Sequence, residues 1–127
     1  MANRTVADMV EQAKARIEVT TPAEITGAVS SREVLFLDIR EPEEWQAAHV
    51  PEAVHIPRGM LEFRADPASQ YYDPRLGAGK PIVVSCASGG RSALATAVLL
   101  DMGYENVRSL DGGMNAWEEA GHRVERG

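Results

Sequence analysis

Ile82-Val83-Val84-Ser85-Cys86-Ala87-Ser88-Gly89-Gly90-Arg91-Ser92 decides how this chain folds. An apolar, β-branched run ends at a thiol, and small residues follow it. A helical pattern then runs from Ser92 to Met102, with Leu94, Ala95, Val98 and Leu99 as its apolar stripe and Gly103 as its stop. The continuous apolar run predicts a strand buried on both faces. Strand, tight turn and helix in that order predict an α/β fold. Gly89 and Gly90 permit backbone angles that larger residues resist, so successive N–H groups of the turn can point inward. The helix start adds unpaired N–H groups and the positive end of its dipole. The stretch therefore predicts an anion cradle with Cys86 at its base.

The same alternation extends outward in both directions. Val6, Met9, Val10, Ala13 and Ile17 recur at helical spacing, so residues 5–16 read as an amphipathic helix. Ile17-Glu18-Val19 reads as a short strand. Thr21-Pro22-Ala23-Glu24 is a capping box that opens a helix to about Val29. Val34–Leu37 and Ala53–Ile56 read as strands, and Pro42 opens a helix between them carrying Glu43, Glu44 and Trp45. Met60, Leu61 and Phe63 fit a short helix. Residues 65–80, rich in Pro and Gly, read as a long loop of the kind that often rims a site. Val107–Leu110 is the last strand, and Gly112-Gly113 turns into a closing helix with Met114 and Trp117. The expectation is a mainly parallel central sheet of about five strands, flanked by helices on both faces. Residues 1–16 form an amphipathic extension to a domain spanning 17–127.

A chain of 127 residues fits one domain, and 44% apolar residues suffice for its core. The formal charge of −6 argues against nucleic acid or an anionic membrane surface as the main partner. The first nineteen residues hold no apolar run of signal-peptide or membrane-span length, so the expected location is the cytoplasm. Cys86 is the one cysteine. It cannot form an internal disulfide, and no second thiol can resolve an intermediate on it. No histidine or acid pair falls at metal-ligand spacing with it, so no metal is expected.

An unperturbed thiol titrates near 8.5 and is only a few per cent ionised at neutral pH. A helix N-terminus contributes up to about 2 kcal/mol, and one pKa unit needs about 1.4. One helix end thus shifts the thiol by about one unit, and Arg91 can add to this. Cys86 is accordingly expected to be an exposed nucleophile of low pKa. The competing reading is an inert core cysteine. Ligands in open α/β sheets bind beyond the carboxyl ends of the strands. That rule brings Arg40, Arg58 and Arg91 toward one edge, where they could draw a small anion. Their alternatives are an Asp38–Arg40 ion pair fixing a strand end, a solvated Arg58, and an Arg91 that clamps the turn. His49 is expected to support a turn, His55 to be a hydrogen-bonded core residue, and Trp45 and Trp117 to be core anchors.

Cys86-Ala87-Ser88-Gly89-Gly90-Arg91-Ser92 resembles the active-site loop of rhodanese-domain sulfurtransferases. Leu37-Asp38-Ile39-Arg40-Glu41-Pro42-Glu43-Glu44-Trp45, Ala48-His49-Val50-Pro51-Glu52-Ala53 and Leu110-Asp111-Gly112-Gly113 with Trp117 are similar to three further motifs of that family, in order, over residues 17–120. Ala48 and Glu52 stand where the family usually has glycine. The resemblance implies sulfur transfer from a small anionic donor such as thiosulfate to cyanide or a thiol, free or on a protein. Cys86 would carry the sulfur as a persulfide, its charge resting on the N–H groups of Ala87, Ser88, Gly89, Gly90 and Arg91, with no cofactor. A cysteine phosphatase or arsenate reductase is the rival enzyme. The phosphatase family places one more residue between Cys and Arg than the four that separate Cys86 from Arg91. A non-catalytic module, or a relay docked to a partner through the N-terminal helix, is the other alternative.

Overall fold

Thr5 and Thr21 each begin a helix by the same device. Their hydroxyls accept from the N–H groups of Asp8 and Glu24, whose carboxylates reach back to the threonine N–H groups. The helices so started are α1 (Val6–Lys14) and α2 (Pro22–Ser30). The computed structural model describes residues 3–127; residues 1 and 2 of the expected extension lie outside the described residues. The remaining helices are α3 (Pro42–Ala47), α4 (Leu61–Ala65), α5 (Gly90–Asp101) and α6 (Gly113–Glu119).

Five strands, β1 (Glu18–Thr20), β2 (Leu35–Asp38), β3 (Val54–His55), β4 (Ile82–Ser85) and β5 (Val107–Leu110), form one sheet in the order β1-β5-β4-β2-β3. Every pairing is parallel. Parallel neighbours need long crossovers, which the intervening helices supply. β2 and β4 are buried at every position. Leu35, Leu37, Ile82 and Val84 pack with Leu61, Ala65, Ala95 and Leu99 of α4 and α5. Phe36, Val83 and Leu110 pack with Ile25, Val29, Met114 and Trp117 of α2 and α6. Alternate residues of the same strands thus serve opposite faces, as the strand period requires. The layered α/β fold expected from the sequence is the fold observed.

The boundaries differ from the reading at instructive places. The second strand runs one residue later than Val34–Leu37, because Asp38 pairs with both Ser85 and His55 in the ladder. Val34 instead turns its N–H to Ala28 O as α2 ends. The third strand is shorter than Ala53–Ile56, because the Ala53 N–H closes a turn onto Val50 O. The loop at 65–80 contains a 3-10 turn at Pro74–Gly77, capped by Asp73. The fifth helix starts at Gly90 rather than Ser92, with Gly89 at φ +119° before it.

α1 lies against α5, where Ala13 packs with Ala93 and Ala97 and small side chains let the helices approach closely. Arg16 and Asp101 pair across the same contact. Among the described residues, no helix is long and apolar enough to cross a membrane.

Candidate active site

β4 delivers Cys86 to the carboxyl edge of the sheet, with β2 and β5 on either side. The thiol is fully buried, which corrects the expectation of an exposed one. The turn itself covers it. The Gly89 N–H donates to Cys86 Sγ at 3.1 Å and the Ser92 N–H at 3.3 Å. The Ser92 hydroxyl stands 3.5 Å from the sulfur and is itself held by Ser109 Oγ at 2.8 Å and Gly89 O at 3.1 Å. Gly89 alone among residues 87–90 donates to the sulfur. Ala87 and Ser88 form the outer turn, and Gly90 opens α5.

The back of the turn rests on α6. The Met114 N–H donates to Cys86 O at 2.8 Å and the Asn115 N–H to Ala87 O at 3.0 Å. Gly113 sits there at φ +52°, and a Cβ on it would stand 2.3 Å from Cys86 O. Gly113 is therefore required by close approach as well as by its backbone angle. With the carbonyls held behind, the turn presents N–H groups to the sulfur.

Arg91 does not donate to the sulfur. Its two terminal nitrogens bind Glu44 of α3 at 2.8 and 2.9 Å. The Arg91 hydrogen bonds hold the Glu44 carboxyl down at about 2, against the opposing effect of its partial burial. Glu44 in turn raises Arg91, and the nearby Cys86 adds to that rise. Arg40 is closed onto Asp38, with Nε to Oδ1 at 3.0 Å and Nη2 to Oδ2 at 2.9 Å. It also donates to Ala48 O at 2.7 Å. Arg58 pairs with Glu62 at 2.8 Å, one helical turn on. The three expected anion receptors thus each hold a carboxylate. For Arg40 this is the strand-end ion pair of the alternative reading.

Trp45 stacks with two imidazoles, its ring centroid 3.7 Å from that of His49 and 4.7 Å from that of His55. His49 is buried and bonds Trp45 O through Nδ1; His55 bonds Arg40 O through Nε2. Trp117 meets Phe36 edge to face inside the core. Among the described residues, no group of three or more His, Cys, Asp or Glu is placed to hold a metal ion. The sequence reading did not assign roles to Glu44, Ser92 and Ser109. Ser92 was visible in the loop motif. Glu44 lay inside the quoted Leu37–Trp45 motif and Ser109 in the last strand, but their partners come from distant segments, so no local signal marks their roles.

The family model described as "Rhodanese-like domain" matches residues 21–120. Thiosulfate sulfurtransferase 16 of Arabidopsis thaliana is 36% identical over 90 residues, 68% of this chain and 75% of the relative. Thiosulfate sulfurtransferase GlpE of Pseudoalteromonas translucida is 35% identical over 104 residues, covering 77% and 87%. A solved structure from Rhodopseudomonas palustris is described as a protein of unknown function and possible tyrosine phosphatase. It superposes with a TM-score of 0.92 at 37% identity, over 98% of this chain and 97% of its own.

Proposed function

The chain belongs to the rhodanese-like domain family, and from that premise we propose that it transfers a sulfane sulfur through a persulfide on Cys86. The observation that carries this reading is the pair of backbone N–H groups, from Gly89 and Ser92, that converge on Cys86 Sγ. Donors fixed before the reaction stabilise charge on sulfur without reorganising. The Cys86 thiolate attacks the outer sulfur of a donor such as thiosulfate. The S–S bond breaks, and sulfite departs with its electron pair. Cyanide or a thiol, free or on a protein, then attacks the terminal sulfur and the Cys86 thiolate returns. Splitting the transfer this way gives each step a competent nucleophile and leaving group. Because Cys86 has no second cysteine in its chain, the intermediate cannot collapse to an internal disulfide. Arg91 serves here as a positioning residue that pins the first turn of α5 to α3 through Glu44. Tyrosine-phosphate hydrolysis, named as possible in the description of the Rhodopseudomonas structure, calls for a guanidinium free to grip a tetrahedral anion, and Glu44 occupies this one.

Intact-protein mass spectrometry tests the reading. Incubation with thiosulfate or an organic persulfide adds one sulfur atom to the wild type and none to Cys86→Ser, and cyanide removes it. Turnover without a Cys86 adduct, retained by Cys86→Ser, overturns it.

A further inference from the structure

We infer that the preferred sulfur donor of this site is an organic persulfide, R–S–SH, rather than a small dianion such as thiosulfate, and that Glu44 sets this preference. The inference rests on the reading of Cys86 as the sulfur carrier. The two donors make different electrostatic demands. With thiosulfate, a Cys86 thiolate meets a dianion and releases the sulfite dianion, so like charges converge at the sulfur throughout. With R–S–SH, the thiolate attacks the outer sulfur of the protonated persulfide group, which carries no charge. The S–S bond breaks, its electron pair leaves on R–S⁻, and the outer sulfur stays on Cys86 with its proton as Cys–S–SH. No oxidant, reductant or further reactant is needed.

A site built for the dianion needs unpaired positive charge at its mouth, and the arginines do not supply it. Arg91 is bidentate to Glu44, Arg40 is enclosed by Asp38 and Ala48 O, and Arg58 is paired with Glu62. Glu44 stays ionised throughout the neutral range, since Arg91 holds its carboxyl at about 2. Glu41 adds a further exposed carboxylate whose charge Arg91 feels. Asp38, Glu41 and Glu44 against Arg40 and Arg91 sum to −1. The whole chain, at −6, also repels a small dianion over longer range.

The loop's surroundings suit a donor with an organic body. Val10 of α1 lies 3.9 Å from where a Cβ on Gly90 would stand. Val10 therefore gives the start of α5 an apolar neighbour on α1, against which an alkyl or peptidyl group can be buried and sulfite offers nothing to bury.

The experiment compares rates of sulfur loading onto Cys86, read by quenched intact mass, from thiosulfate and from cysteine hydropersulfide. Wild type loads from the persulfide at least about tenfold faster, the scale of one charge-assisted contact missing for the dianion. Glu44→Gln keeps a side chain able to cap α3 but frees Arg91. It raises the thiosulfate-to-persulfide rate ratio by about tenfold, and added salt narrows that gain. Equal wild-type loading from both donors, or an unchanged ratio in Glu44→Gln, overturns the donor inference while leaving the persulfide reading intact. Loading from neither donor overturns both.

Discussion

Asp38-Ile39-Arg40 and Asp73-Pro74-Arg75 form the same local clamp at two places in the molecule. In each, the arginine N–H donates to the aspartate Oδ1 at 3.0 Å, and Nε stands 3.0 and 3.2 Å from the two carboxylate oxygens. Nη2 completes the fork at 2.9 Å in the first and 2.6 Å in the second. The surroundings differ. Asp38 is 0% exposed and Arg40 8%, whereas Arg75 is 61% exposed over an Asp73 at 10%. The first clamp ends β2 beside the Cys86 turn and reaches across to Ala48 O. The second caps a 3-10 turn in the long loop. One spacing thus yields one geometry, and burial decides what that geometry is worth. Removing half of a buried pair strands a charge without water. Removing half of an exposed one lets solvent replace it.

The largest effect expected is that of Arg40→Ala. It strips the buried Asp38 of its guanidinium partner and leaves Ala48 O without its donor. The expected loss is about 3–5 kcal/mol of folding stability, read from urea midpoints at neutral pH. If Arg40→Ala and Arg75→Ala prove equally costly, burial is not what separates the two clamps.

That contrast also marks what the sequence could show. The Asp-x-Arg spacing is local, so a strand-end ion pair at Asp38 and Arg40 was readable from a few residues. Its burial was not, because Ala48 O and the flanking strands come from elsewhere. The order of elements was legible from apolar runs, capping boxes and turn glycines, since these act over a few residues each. The strand end at Asp38 was missed because a polar residue reads as loop unless its ladder partners Ser85 and His55 are known. At the site, the Cys86 turn was legible as strand, small residues and helix. Its depth was not, since inward N–H groups cover the sulfur only once α6 holds the carbonyls behind it. Glu44 was legible as a helix residue within the Leu37–Trp45 motif but not as the partner of Arg91, because that contact spans 47 positions. Among the three arginines expected at the rim, distance hid the partner of Arg91 alone, since Arg40 and Arg58 pair within four residues.

Arg40→Lys sharpens the comparison at an intermediate scale. Lysine keeps the charge beside Asp38 but not the planar fork, and it cannot serve both carboxylate oxygens and Ala48 O in one plane. The expected cost is about 1.5–3 kcal/mol, the value of a hydrogen bond to a charged group. Arg75→Lys, with water at hand, is expected to stay within about 0.5 kcal/mol of wild type. Urea titrations of the two variants side by side read the gap. A lysine tolerated equally at both positions shows that charge alone, and not the fork, holds the strand end.

The smallest effect is expected at Arg75→Ala, and its pH dependence carries the information. The Arg75 hydrogen bond holds the Asp73 carboxyl below its ordinary 3.8, against the opposing effect of partial burial. A carboxyl depressed in the folded state stabilises that state above its unfolded pKa, and the contribution fades as pH falls through the folded value. At neutral pH the exposed guanidinium is screened by solvent, so its removal is expected to cost no more than about 1 kcal/mol. As pH falls from 3.8 through the lower folded value, wild type comes to bind the same proton on Asp73 as the variant, and their urea midpoints converge. A midpoint gap that persists or widens in acid breaks the account, because it would place the value of the exposed clamp in packing of the Arg75 stem rather than in its charge. The buried clamp offers a direct control. The Arg40→Ala loss includes Ala48 O, which does not titrate, so part of that gap must survive acidification where the Arg75→Ala gap closes.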